Sequence, residues 1–135
     1  MNRNIRKLVK KLIPVEKEMA AEKGPFLLFA LFMPQHGYGK WDVLVSAPWL
    51  DRGVRECWQY ITRNIQQAIT MEELLKISRV VIIEYDHPDL EEVYEMVDVE
   101  HGLAEIKDEV FFEVEIRWAY FITSRRAIQE MADVA

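Results

Sequence analysis

One thiol, five glycines and five prolines are few for 135 residues, and each shortage excludes a class of protein. With Cys57 alone, neither an internal disulfide nor a two-cysteine metal site can form, so a reducing cytoplasm is the expected setting. Long apolar runs are missing as well. The longest, from Phe26 to Met33, is about half of the roughly 18 residues that a membrane-spanning helix requires, and reads as a core segment. Low-complexity tracts, internal repeats and linkers are absent too, which leaves one domain over residues 1–135. A secretory signal is not expected, because Glu16, Glu18 and Glu22 interrupt the basic N-terminus before any apolar region and cleavage site.

What is present is a globular balance, half apolar and 30% charged, sufficient for one core. The net charge of −6 conceals segregation. Residues 1–13 carry Arg3, Arg6, Lys7, Lys10 and Lys11 with no acid, whereas residues 84–115 carry thirteen acids against Lys107 alone. These segments attract each other, within one copy or between two. An overall acidic domain repels phosphate, so nucleic acid is not the expected partner.

Periodicity supplies the elements. Ile5, Leu8, Val9, Leu12 and Ile13 share one stripe of a basic amphipathic helix over 2–23, which Pro14 is expected to kink or restart. Phe26–Met33, apolar on both faces, reads as a central strand. It is joined through Gln35–Lys40 to an antiparallel neighbour, Trp41–Ala47. A helix capped by Asp51, burying Val54, Trp58, Ile61 and Ile65, leads through the capping-box spacing of Thr70 and Glu73 to a third strand, Arg79–Tyr85. A short acidic helix follows His87-Pro88 and buries Leu90, Val93, Tyr94 and Val97. A weak strand at Leu103–Ile106 is expected to turn at Lys107-Asp108 into a long alternating strand, Val110–Ile122, whose length calls for a bulge, a bend or a projecting end. Ser124 is expected to cap a terminal helix through Ile128 and Met131. The fold class is α+β, a mainly antiparallel four- or five-stranded sheet with helices on one side, in the order α-β-β-α-α-β-α-(β)-β-α.

Topology nominates a site. If strands two and three are parallel through a helical crossover, Ser46–Asp51 and Glu84–Asp89 leave the same sheet edge, where α/β proteins commonly bind ligands. There Trp49 offers a stacking wall, Arg52 an anion contact, and Asp86 with His87 an acid/base pair, flanked by Asp51 and Glu84. The same residues are more often ordinary caps, turn formers and core or lid aromatics. Other constellations fail. His36, His87 and His101 do not converge in the proposed topology, nor do His36, Glu100 and His101 show a recognised ligand spacing, so no metal or cofactor is expected. Gly37-Tyr-Gly-Lys40 is followed by a strand rather than the helix a phosphate loop needs. Glu113, Glu115 and Arg117 with Asp42 are explained by strand alternation, and Cys57 lacks a nearby histidine.

No catalytic residues follow from these patterns. The expected function is a non-catalytic protein-interaction or regulatory module, homodimeric and free of the membrane. The alternative is a small-molecule-binding or hydrolytic protein using Trp49, Asp51, Arg52, Glu84, Asp86 and His87.

Overall fold

The computed structural model describes residues 2–127. A 22-residue helix, α1 (Asn2–Lys23), precedes the hairpin β1 (Leu28–Pro34) and β2 (Trp41–Ser46). Two helices, α2 (Arg55–Ala68) and α3 (Met71–Leu74), lead to β3 (Ile77–Ile82). The short α4 (Leu90–Met96) is followed by a second hairpin, β4 (Ala104–Phe111) and β5 (Val114–Ser124). One sheet results, in the order β3-β2-β1-β5-β4. Only β2 with β3 is parallel, and the other three pairs are antiparallel.

β1 lies in the middle because it has no side to show to water. Leu28, Ala30 and Phe32 enter one core, and Phe29 and Leu31 the other, all at 2% exposure or less. On the first face α1 lays Ile5, Leu8, Val9, Leu12, Val15 and Met19, and α2 lays Ile61 and Ile65, over β1, β2, β3 and β5. On the second face α4 adds Leu90 and Val93, with Val97 behind them. The expectation of helices on one side is therefore corrected: strands buried on both faces require helices on both.

Several local expectations change with it. α1 runs through Pro14 without a break, the proline lying on the exposed side while the stripe from Ile5 to Met19 stays buried. In α2 the buried line is Cys57, Ile61, Ile65 and Ala68, which turns Val54 and Trp58 outward to 37% and 39% exposure. Asp51 does not cap α2. Its carboxyl accepts the Gly53 N–H at 2.8 Å in a turn, and Val54 occupies the N-cap with no side-chain bond. The Thr70–Glu73 capping box forms in both directions. Likewise, α4 begins after Asp89 rather than at Pro88. Ser124 closes β5 and donates to the Val97 carbonyl at 2.9 Å. The helix expected through Ile128 and Met131 lies outside the described residues.

The largest departure is the second hairpin. Its turn is Phe112-Glu113, not Lys107-Asp108, because Phe111 pairs with Val114. Both turn residues have positive φ, 53° and 63°, as the hairpin-compatible type I′ turn demands. Neither is Gly or Asn. The supposed single apolar face from Val110 to Ile122 is also divided: Ile116, Ala119 and Phe121 serve the second core, Tyr120 and Ile122 the first. The register shift against β1 at Met33/Pro34, which lies between Trp118 and Ile116, accounts for the change of side of Ile116.

A left-handed backbone costs a non-glycine residue roughly 1–2 kcal/mol. Glu113→Gly is accordingly expected to stabilise the fold by about 1 kcal/mol after the added unfolded-state entropy is subtracted, read as a higher urea midpoint at unchanged slope. An equal or lower midpoint would show that the turn is unstrained.

Candidate binding groove

A helix of 7 residues is about 10 Å long at 1.5 Å per residue, whereas the 11 residues of β5 extend about 36 Å. α4 therefore covers only the part of its sheet face near Leu28, Ala30 and Phe121. Beyond it lies a groove of about 700 Å³. Phe32, Leu44, Phe111 and Ile116 make the floor. Val81 and Ile83 line one wall, and Phe112 with Val114 the other, Val114 being 46% exposed.

The rim is polar and unevenly charged. His36 and Lys40 come from the first hairpin turn, and Glu113 from the second. Asp42 sits at the boundary, almost buried on β2, and Arg79 of the adjacent β3 reaches it at 3.4 Å. That pairing follows from the parallel register, which sets Asp42 beside Arg79. An apolar floor with a few directed polar groups is the usual build of a small ligand or peptide site. No side chain in it is placed as a nucleophile beside a base.

The residues nominated from sequence are distributed as follows. The parallel β2–β3 pair does send both loops from one sheet edge. Trp49 donates its indole N–H to the Gly24 carbonyl at 2.8 Å and packs edge-on against Phe26 and Tyr60, on the α1/α2 side. Asp51 holds its own turn. Arg52 lies beside Arg55, Trp58 and Arg63. Glu84 and Asp86 are exposed. His87 accepts the Asp89 N–H at Nδ1, 3.1 Å, and sets its ring against Phe112, 5.3 Å between centroids, on the α4 side. Trp49 and His87 thus belong to different layers. The His87–Phe112 contact instead joins the β3–α4 loop to the hairpin tip that walls the groove. Near Trp49, burial and then the hydrogen bond to Glu22 push the Tyr60 phenol up to about 12. It is a neutral donor at physiological pH.

One polar cluster escaped the sequence reading. Glu16 of α1 is fully buried, with one carboxyl oxygen 2.5 Å from His101 Nδ1 and the other accepting from the Thr123 hydroxyl at 2.8 Å. The His101 backbone N–H in turn donates to Thr123 Oγ1 at 3.2 Å. The network ties α1, β5 and the α4–β4 loop together, with His101 held at φ 53°. A signal did exist: Glu16 falls on the buried stripe, four residues after Leu12 and three before Met19. The partners gave none, since they lie 85 and 107 residues away. Among the described residues no group of three potential metal ligands converges.

Comparison of the chain with protein-family models, with curated proteins and with solved structures finds no match. Function must be read from geometry.

The Glu16 network makes a prediction of its own. Thr123→Val removes a buried donor to a carboxyl and is expected to cost roughly 1–3 kcal/mol. Combined with Glu16→Met, which removes the acceptor, the loss should be clearly smaller than the sum in a denaturant double-mutant cycle. Strict additivity would show that the two side chains are not coupled.

Proposed function

We propose that this protein is a non-catalytic interaction module that takes an apolar segment of a partner protein into the groove beside α4. The observation that carries the reading is the length mismatch between α4 and the strands beneath it, which leaves an apolar floor open beside α4. Apolar side chains of the partner would replace the missing helical cover, and the charged rim would set orientation. Self-association into a homo-oligomer belongs to the same reading, as does a cytoplasmic location, which suits a half-buried, unpaired Cys57. Among the described residues no helix is long and apolar enough to cross a membrane.

Selection of random peptides on the full-length protein tests the groove. Enriched peptides should carry two or more large apolar residues, shift the amide resonances of Val81, Ile83 and Val114, and bind Val114→Glu at least about tenfold more weakly. Resonance shifts confined to the α1/α2 layer, with undiminished binding to Val114→Glu, would refute it.

A second reading keeps a small-molecule or hydrolytic site at the C-terminal edge of β2 and β3, around Trp49, Asp51, Arg52, Glu84, Asp86 and His87. Its support is the parallel pairing that sends both loops from that edge. On that reading Asp86→Asn and His87→Ala abolish ligand binding or turnover while the thermal midpoint stays within a few degrees. A ligand bound equally well by both variants would eliminate it.

A further inference from the structure

Charge in this molecule is divided across the sheet. On the α2 side, Arg52, Arg55 and Arg63 line a shallow cleft of about 730 Å³ together with Trp58. None of the three arginines has an ion-pair partner among the described residues. Trp58 and Val54 stand out among them, large apolar groups on a charged surface. Arginine and tryptophan are the residues most enriched at energetically dominant interface positions.

The opposite side carries the complement. α4 and its leading loop expose Glu84, Asp86, Glu92 and Glu95, and within the same stretch Tyr85 and Met96 are 56% and 42% exposed. Each surface thus pairs an excess of charge of one sign with exposed apolar groups, although Arg126 neutralises Glu91 on the acidic side and exposed Asp51 and Glu56 stand among the arginines. Like charges held close repel, and docking against the opposite sign relieves both sets at once.

These surfaces cannot meet within one copy, since α2 packs on the first core and α4 on the second. Nor can a two-fold pair satisfy both. If the α2 surface of one copy sits on the α4 surface of another, the remaining two surfaces face away from each other. Such a contact is heterologous and continues from copy to copy, into a ring where the rotation closes and a filament where it does not.

We propose that the protein assembles head to tail, the Arg52/Arg55/Trp58/Arg63 face of one copy seated on the acidic α4 face of the next. The inference rests on the reading of the chain as a self-associating interaction module, and it replaces a two-fold dimer with a head-to-tail series.

Sedimentation velocity on the full chain tests it with two charge-reversed variants, Arg55→Glu/Arg63→Glu and Glu84→Lys/Glu92→Lys, whose folding is checked by circular dichroism. Milder versions, Arg55→Gln/Arg63→Gln and Trp58→Ala, serve if a reversal unfolds the protein. At low salt the wild type should pass beyond dimer mass as concentration rises, and high salt should weaken association by roughly tenfold or more. Each reversed variant alone should stay monomeric. Their equimolar mixture should associate again beyond the monomer, because the intact pair of surfaces remains and the two reversed surfaces are themselves of opposite sign. A dimer of fixed size, insensitive to salt and to both reversals, would overturn the head-to-tail arrangement while leaving a homo-oligomeric module standing. A wild type monomeric under every condition would overturn both, and a monomer that retains single-stranded nucleic acid on the arginine face would assign that surface to a different partner.

Discussion

The two-sided burial of β1 governs this structure. Seven consecutive residues from Phe26 to Phe32 are buried, and from Leu28 to Phe32 their side chains alternate between two cores, so no arrangement with one wet face accommodates them. Burying a large aliphatic or aromatic side chain is worth roughly 1.5–3 kcal/mol. Exposing either half of β1, with two large side chains in each, would therefore cost roughly 3–6 kcal/mol, a large part of a domain's usual net stability of about 5–15 kcal/mol. The chain meets the demand with β2 and β5 on either flank and with helices above and below. The two helical layers are unequal, however. α1 and α2 supply 22 and 14 residues to one face, and α4 supplies 7 to the other. The groove is the remainder of that inequality.

How much of this was legible follows from how each feature is encoded. The α1 stripe, the Phe26–Met33 core strand, the first hairpin and the Thr70–Glu73 capping box depend on neighbours within one or two turns. Periodicity and short spacings report them directly. The parallel crossover from β2 to β3 was legible as a condition, because a helical connection between successive strands favours it. The Phe112-Glu113 turn was not, since neither residue carries the glycine or asparagine signature of a type I′ turn. The outward rotation of Trp58 depends on which line of α2 meets the sheet, and two lines with similar apolar content compete in that helix. The groove has no motif at all, because it is space that α4 fails to fill. Glu16 was readable only as an anomaly on a stripe, and its partners are fixed by tertiary structure alone.

The buried carboxyl shows how α1 is held in register. Apolar packing orients a helix over a sheet loosely, since neighbouring ridges offer similar burial. A carboxyl group aimed at His101 and Thr123 does not tolerate a slip, because any displacement leaves buried polar atoms unpaired at about 1–3 kcal/mol each. The exposed Lys11–Glu73 pair at 2.9 Å contributes little by comparison. Its Glu73 partner, although burial opposes ionisation, is held below the usual carboxylate range by hydrogen bonds from Thr70 and Lys11. Attraction between the basic first helix and acidic segments is thus a minor term within the chain. The docking of α1 is apolar, with one polar lock.

That conclusion frees the surface charge for work outside the molecule, and the backbone adds a related argument at the groove. Positive φ at Phe112 and Glu113 stores strain that a glycine would release, yet the fold keeps a bulky ring at the first position. Phe112 is the residue that walls the groove and meets His87 of the β3–α4 loop. Glycine or asparagine there would relax the turn and open that wall. The strained turn and the uncovered floor therefore belong to one design. The hairpin tip holds an aromatic edge beside apolar ground that the protein's own helix is too short to reach, and the binding reading rests on that juxtaposition.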